Sequence, residues 1–149
     1  MERMLVFRGR RLSTRARLSS WGLQIPTSCC LCSGSTETRD HLLLTCPFSW
    51  EVWQHVIFRL NPPTLPFRDW NELLSWIRSP AVSSPIILRK LAVQSTVYHL
   101  WKQRNNVYHN NNIIGPVVIA RMIYREVKNT IMVRRDRKKF LNLFSSWII

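Results

Sequence analysis

The chain has 149 residues, and its 22 lysines and arginines outnumber 8 acidic residues, so the formal net charge is +14. Hydrophobic residues make up 46% of the sequence and seven residues are tryptophan, which is enough apolar material for a core and excludes a wholly disordered chain. No apolar run approaches the roughly 18 residues of a membrane-spanning helix. The charge favours an anionic partner, with nucleic acid first and an acidic membrane surface second, and a merely solvated basic surface is the alternative.

The N-terminal segment is strongly basic, since residues 1–21 hold six arginines and Glu2 is their only acid. A mitochondrial transit peptide has a similar composition and stays an alternative. Without such a peptide, the sequence predicts a nuclear or cytoplasmic protein.

A short helix is predicted just after the first basic residues. Ser13 or Thr14 can cap its N-terminus, and Gly22 is placed to end it. The apolar residues expected to face inward are Leu12, Leu18 and Trp21.

All four cysteines and one histidine lie between residues 29 and 46. Cys29 and Cys32 form a Cys-x2-Cys pair, and eight residues later His41 and Cys46 form a His-x4-Cys pair. Three thiolates and one imidazole are a ligand set of structural zinc sites. Because four protein ligands leave no position for water, the spacing predicts one structural Zn²⁺ that stabilises the fold and does not catalyse a reaction.

Two other interpretations of the cysteines stay open, namely four buried reduced thiols or two disulfides. Disulfides fit poorly, because adjacent Cys29 and Cys30 are unfavourable bridge partners and nothing indicates secretion. Cys30 is left over from the zinc pattern and is expected to be a small apolar filler.

The second ligand pair requires a break in the helix. A short helix over residues 37–44 is expected to deliver His41, but an unbroken helix would direct residues five apart to different faces. Pro47 supplies the break and suits the first position of a new helix. Cys46 then lies at the N-terminus of that helix, where the helix dipole favours a thiolate.

Four further helices are predicted. Helical apolar spacing extends from Pro47 to about residue 60, and a second helix spans 69–78 with a capping box of Asp69 and Glu72. Residues 80–84 form a linker and the best internal boundary.

A long helix follows Pro85 and reaches about His109, and Pro116 opens a last helical stretch. That last stretch is expected to carry an apolar face of Val117, Ala120, Tyr124, Val127 and Ile131. The predicted fold class is therefore mostly α, with a small Cys3His zinc-knuckle-like N-terminal module followed by several amphipathic helices.

Residues 10–60 resemble the reverse-transcriptase zinc-binding domain of plant LINE-type (non-LTR) retrotransposons. The matching residues are Leu12-Ser13-Thr14-Arg15, Leu18, Trp21-Gly22, Cys29, Cys32, Glu37-Thr38, His41-Leu42, Cys46-Pro47-Phe48-Ser49 and Val52-Trp53. A shorter match, Leu100-Trp101-Lys102-Gln103-Arg104-Asn105, looks like the helical segment that follows the domain in such polyproteins. The resemblance implies a zinc-binding domain over 10–60. The helical patterns predict a helix and linker over 61–82 and a helical C-terminal extension over 83–149.

In that family the domain lies C-terminal to the polymerase and is thought to help hold template RNA or target DNA. The polymerase centre itself needs a Tyr-x-Asp-Asp turn and a further aspartate for two metal ions. This chain has three aspartates, Asp40, Asp69 and Asp136, and no two are adjacent. The sequence also has no phosphate-binding Gly-rich loop, so it predicts a non-enzyme without a small-molecule substrate.

A basic helix face is predicted to bind RNA or DNA with little sequence preference, because such a surface contacts phosphates. Its residues are Arg121, Arg125, Lys128, Arg134, Arg135, Arg137, Lys138 and Lys139. Four N-terminal arginines add charge: Arg10, Arg11, Arg15 and Arg17. The run over 134–139 also fits a nuclear import signal or a solvated helix face.

The remaining histidines and most tryptophans have ordinary structural explanations. His55, His99 and His109 are each isolated in helical patterns and are expected on the surface or as satisfied core residues. Trp53, Trp70 and Trp101 are expected to pack in the core rather than stack on bases. Two alternatives to nucleic-acid binding stay open: a protein-interaction or structural helical module, and a retroelement remnant without a selected function.

Overall fold

The computed structural model describes residues 12–60, 66–140, 142–143 and 147. The predictions on Arg10 and Arg11 lie outside these residues. The described chain is mostly α, as the sequence predicts, and its extended backbone is limited to a single antiparallel bridge between Ser28 and Thr36.

Five α-helices form the described part of the chain. They are α1 (Arg15–Ser20), α2 (Pro47–Ile57), α3 (Trp70–Arg78), α4 (Ile86–Asn110) and α5 (Pro116–Val133). A π-helical turn, His41–Thr45, precedes α2, and 3₁₀ turns follow at Phe58–Leu60 and Lys138–Phe140.

The helix ends follow the capping residues that the sequence contains. Thr14 accepts a hydrogen bond from the Arg17 amide at the start of α1, and Asp69 accepts one from the Glu72 amide (2.9 Å) at the start of α3. Asn111 adopts the left-handed conformation after α4, with φ of 50°, which an asparagine tolerates better than most residues.

Helices α2, α4 and α5 pack together around one core, with α5 against both of the others. Trp53 of α2 is fully buried, and its indole N–H donates to the Leu43 carbonyl (2.6 Å). Trp147 is also fully buried and stacks on Tyr124 of α5 at a ring distance of 5.9 Å. The C-terminal segment therefore returns to cover the last helix.

Two predicted inward faces need correction. Trp21 is 59% exposed, because α1 stops at Ser20 and the chain turns at Gly22 with φ of +88°. On α5, Val117 is exposed and Tyr124 is only half-buried. The buried stripe of α5 consists of Ile119, Ala120, Ile123, Val127 and Ile131.

Hydrogen bonds from one arginine connect the predicted linker to the helices on either side of it. Arg89 of α4 is 2% exposed and donates to the carbonyls of Trp76 (2.7 Å), Ser79 (3.1 Å) and Ser84 (3.1 Å). A guanidinium at the carboxyl end of α3 also complements the helix dipole. The division of the chain at this linker stays a prediction.

Candidate metal centre

The first half of the candidate site is a tight loop. The Cys29 amide donates to the Ser35 carbonyl (2.7 Å), and the Glu37 amide donates to the Thr27 carbonyl (2.7 Å). Between them, the Ser33 amide donates back to the Cys29 carbonyl (2.9 Å), and Ser33 has a positive φ of 59°. These bonds fold the Cys-x2-Cys segment on itself, so both sulfurs face the same side.

The second half is built by the π-helical turn. The Cys46 amide donates to the His41 carbonyl (2.7 Å), five residues back, so the turn is wider than an α-helix. The chain then leaves the helical conformation at Cys46, where ψ is 134°, and α2 starts at Pro47. The sequence predicts a helix from residue 37, but the helix begins only at residue 39, so Glu37 lies outside it.

The predicted break therefore exists, and it is completed by two side chains of α2. The Ser49 hydroxyl and the Trp53 indole donate to the carbonyls of Leu42 and Leu43. The π-helical turn ends before α2 begins, so these two carbonyls need hydrogen-bond donors from outside the turn.

The structure brings Cys29, Cys32, His41 and Cys46 together. Each residue offers one ligand atom, and these four atoms all lie within 4.8 Å of one another. The Cys29 and Cys46 sulfurs are 3.9 Å apart, and the Cys32 sulfur is 3.2 Å from His41 Nε2. Zinc bonds of about 2.3 Å to sulfur and 2.0 Å to nitrogen separate tetrahedral ligand atoms by roughly 3.5–3.8 Å. The two shortest separations are within about 0.4 Å of these values, and the widest, up to 4.8 Å, would shorten by about 1 Å as the donors close around one ion.

The surrounding groups orient the donors for a metal. His41 directs Nε2 at Cys32, while its Nδ1 lies 3.5 Å from the Thr45 hydroxyl, a partner of the kind that holds the ring of a metal ligand. The amides of Leu31 and Gly34 approach the sulfurs of Cys29 (3.4 Å) and Cys32 (3.5 Å). Such N–H groups favour thiolates over thiols.

The electrostatics of the cluster also favour metal binding. A hydrogen bond from the Cys29 thiol lowers the pKa of Cys46, and the amides of Ser49 and Phe48 at the N-terminus of α2 lower it further. The same hydrogen bond, together with burial, raises the pKa of Cys29. Burial lowers the pKa of His41, so its imidazole is neutral at pH 7. Because zinc binds thiolates, metal binding releases the proton of the Cys29 thiol.

Cys30 lies outside this cluster. It is half-buried, and burial followed by the nearby Glu37 carboxylate raises the pKa of its thiol to about 11. Cys30 is therefore a neutral thiol at pH 7, and its amide donates to Glu37 (2.9 Å). Its surroundings are thus more polar than the apolar filler role predicts.

Glu37 is the residue that sequence reasoning missed. It is fully buried and forms an ion pair with Arg104 of α4 (2.8 Å), while the amides of Arg15 and Cys30 donate to the same carboxylate (both 2.9 Å). The only signal in the sequence was that both members of the pair lie in segments that resemble the family. Spacing could not predict the pair, because its members are 67 positions apart.

The basic residues predicted to bind nucleic acid lie mostly in solvent. Arg121 and Arg125 of α5 are exposed and Lys128 is half-buried, while residues 134–139 are all exposed. Arg15 is used differently, since it donates to the Ser28 carbonyl (3.0 Å) and stacks on Tyr108. Arg17 lies over the Trp21 ring, with 5.0 Å to its centroid.

The isolated histidines do not join the metal cluster. His55 and His109 are exposed, and His99 pairs with Glu126 of α5 at 2.7 Å. No described helix combines the length and the apolar composition that crossing a bilayer requires.

Comparison with known families finds one match. Residues 4–53 match the family model described as zinc-binding in reverse transcriptase. Comparison with curated proteins and with solved structures gives no match. The matched segment includes all four donors of the cluster, and together the match and the Cys3His geometry identify one structural Zn²⁺.

Proposed function

We propose, from the premise that residues 4–53 form a zinc-binding domain of the reverse-transcriptase kind, that this protein is a non-catalytic module that binds RNA or DNA. Its zinc ligands are Cys29, Cys32, His41 and Cys46, and the ion holds the loop and the π-helical turn together. A closed set of four protein ligands gives the ion a structural role and no substrate position.

The observation that carries nucleic-acid binding is the exposure of positive charge along α5 and in the segment that follows it. The exposed residues there are Arg121, Arg125, Arg134, Arg135, Arg137, Lys138 and Lys139. Asp136 is the single acid within the run over 134–139. Clustered cations of this kind bind a polyanion mainly by releasing its counterions, so the affinity depends steeply on salt and little on sequence.

The absence of catalysis is proposed from how the described carboxylates are used. Glu37 pairs with Arg104, Glu126 with His99, Asp40 with Arg39 and Glu72 with Arg68. Asp69 caps α3. Among the residues that the structure describes, the Cys3His cluster is the group of three or more metal-binding side chains that lies close enough to hold an ion. Phosphoryl transfer by two metals needs a second, carboxylate-rich group.

A salt series tests the proposal. If about five phosphates are neutralised, log affinity should fall against log salt with a slope near −3.5 on single strands and −4.5 on duplex DNA. Changing Arg121, Arg125 and Lys128 together to glutamate should weaken binding to all sequences alike and flatten that slope, with the zinc retained.

A second triple variant supplies the matched control. Arg78, Lys90 and Lys102 are exposed residues of α3 and α4, and changing them to glutamate alters the net charge equally. Equal loss of binding in both variants would show that only total charge matters. Unchanged binding in the α5 variant would favour a protein-interaction module instead.

A further inference from the structure

Trp21 presents its indole ring at the surface of the zinc-binding module, where the residue is 59% exposed. Backbone hydrogen bonds fix its position at the end of α1. The amides of Trp21 (3.1 Å) and Leu23 (3.4 Å) donate to the Leu18 carbonyl, and the Gly22 amide donates to the Ser19 carbonyl (3.0 Å). Gly22 closes the helix end in the left-handed conformation, with φ of +88°. The ring is therefore exposed on a backbone that its own hydrogen bonds hold.

Helix α1 is attached in turn to the zinc-binding loop. The Arg15 amide donates to the Glu37 carboxylate (2.9 Å), and the Ala16 amide donates to the Glu37 carbonyl (3.2 Å). The Arg15 guanidinium donates to the Ser28 carbonyl (3.0 Å), next to the first zinc ligand. The position of Trp21 thus depends on the loop that the zinc ion stabilises.

The surroundings of the ring are positively charged. The Arg17 guanidinium lies over one face, 5.0 Å from the ring centroid, and with more than half of Trp21 in solvent the opposite face is open. Residues 1–21 hold six arginines and one acid. Within the described segment 12–46 the acids are Glu37 and Asp40, and each is paired with an arginine. An anionic ligand that carries a flat ring therefore matches both the charge and the shape of this position.

The exposed apolar area around Trp21 is small. Leu23 is 51% exposed, whereas the neighbouring exposed residues Ser20 and Gln24 are polar. A stable protein interface buries about 800 Å² on each partner around an apolar centre, which two apolar side chains do not supply. A single nucleobase stacks on a single aromatic ring, so the area suits one base.

We propose that Trp21 is a stacking platform for an unpaired base of a single-stranded nucleic acid, with Arg17 behind the ring adding attraction for the phosphates. The inference rests on the proposed function and adds to the basic surface of α5 a second contact site, on the zinc-binding module. Stacking uses the flat face that every base has, so it is tolerant of sequence. It requires unpaired bases, because the bases of a duplex are enclosed in their own stack.

Fluorescence anisotropy on the full-length, zinc-loaded chain tests this inference. The probes are two labelled strands of ten nucleotides, one of thymidine and one with an abasic site at every position, which keeps the phosphates and lacks the bases. The parent chain should bind the thymidine strand more tightly. Trp21→Ala should weaken that binding about tenfold and change binding of the abasic strand by less than about twofold. The dependence of affinity on salt should stay as in the parent, because no charge is removed.

Phe58→Ala is the matched control. Phe58 is 62% exposed, and the Arg59 guanidinium lies 5.3 Å from its ring centroid, but that guanidinium is bound to the Trp147 carbonyl (2.8 Å). Binding of both strands should therefore be unchanged. Trp21→Phe keeps an aromatic ring and should retain the parent affinity for the thymidine strand to within about threefold. A zinc content equal to that of the parent shows that the module of each variant is folded.

The possible outcomes separate the two proposals. Equal binding of both strands by the parent chain, or equal weakening of both strands by Trp21→Ala, overturns the stacking platform and leaves general nucleic-acid binding standing. Unchanged binding in Trp21→Ala also overturns it and leaves a protein contact as the occupant of the exposed ring. A loss in Phe58→Ala as large as that in Trp21→Ala would show that this position has no special role. Failure of the parent chain to bind either strand at low salt overturns the proposed function itself.

Discussion

Glu37 and Arg104 form a buried ion pair that connects the zinc-binding loop to the C-terminal third of the long helix α4. Arg104 is 3% exposed, and its Nε and Nη2 both donate to Glu37 Oε1, at 3.1 and 2.8 Å. Arg104 also donates to the Ser13 carbonyl (3.3 Å) and lies over the Trp101 and Tyr108 rings. The family match ends at residue 53, so a residue outside the match fixes one inside it.

Removing one member of this pair should be costly. Glu37→Ala leaves the Arg104 charge buried without a counter-ion, and truncation of a buried pair costs about 3–5 kcal/mol. The double variant Glu37→Leu with Arg104→Met should recover much of that loss, because both charges are gone. Urea denaturation of the zinc-loaded protein measures these differences.

The partly exposed pair between Arg39 and Asp40 is the control for this experiment. Its side chains are 31% and 33% exposed, so Asp40→Ala should change the free energy of unfolding by less than about 1 kcal/mol. If Glu37→Ala cost no more than Asp40→Ala, the buried pair would not hold the two parts of the chain together.

The same carboxylate predicts a dependence of stability on pH. Burial raises the pKa of Glu37, but hydrogen bonds from Arg104 and from the Cys30 and Arg15 amides outweigh it, so the net pKa lies below its ordinary value. A lowered folded-state pKa means that the stabilisation is complete above about pH 4.5 and is lost as pH falls through the folded value. The stability difference between the parent and Glu37→Gln should therefore shrink as the pH is lowered from 6 to about 3.

The two proteins share all other effects of acid on stability, including competition between protons and zinc for the metal ligands. These effects therefore cancel in the difference between their free energies of unfolding. A difference that stays constant from pH 6 to about pH 3 would show that Glu37 contributes through its shape and not through its charge.

The zinc ion should be required for the fold of the N-terminal module. One zinc per chain is expected, and its removal by a chelator should unfold residues 25–50, since structural zinc supplies roughly 10 kcal/mol or more of apparent binding energy. Cys32→Ser should lose the metal. Cys30→Ser should keep it, because Cys30 faces Glu37 and not the cluster. Metal analysis of the purified variants decides between these ligand assignments, and zinc loss from Cys30→Ser alone would show that the ligand register is wrong.

Local signals in the sequence predicted most helix positions. Asp69 with Glu72, Pro47 after Cys46, and Pro116 each act within a few residues, so propensity and capping were sufficient there. The Cys3His spacing belongs to the same class, because each pair lies within one turn of chain.

Contacts between distant segments could not be predicted in this way. The roles of Glu37, Arg89 and Arg104 depend on which helices meet, and a charged residue in a helical pattern is usually assigned to solvent. The buried face of a helix was hard to predict for the same reason. Helix α4 is covered on more than one side and buries Ser95, Thr96 and Gln103 among its apolar residues. Trp21 was misplaced because the helix before it ends one residue earlier than expected.

The isolated chain should not extend a primer on an RNA template with any divalent metal. The reason is chemical, because polymerisation needs carboxylates that hold two metal ions near one another. Gel-based extension assays with Mg²⁺ and Mn²⁺ measure this directly. Nucleotide incorporation that persists through repurification and increases in proportion to the amount of this polypeptide would contradict the non-catalytic proposal.

The last prediction concerns Arg89, which holds the segment between α3 and α4. Its guanidinium donates to four backbone carbonyls, those of Trp76, Ile77, Ser79 and Ser84. Arg89→Met keeps much of the side-chain volume and leaves these carbonyls without their donor. Buried unsatisfied groups cost about 1–3 kcal/mol each, and partial access to water reduces the total, so a loss of about 3 kcal/mol is expected.

Limited proteolysis of Arg89→Met should show where that loss falls. Cleavage within residues 79–84 should accelerate, because the segment no longer has the donor that fixes it. Lys90→Met is the control, since Lys90 is the exposed neighbour on the same helix and its loss should leave the cleavage rate unchanged. Similar cleavage of both variants would mean that the segment is held by its own backbone, and that the connection between α3 and α4 does not depend on the buried arginine.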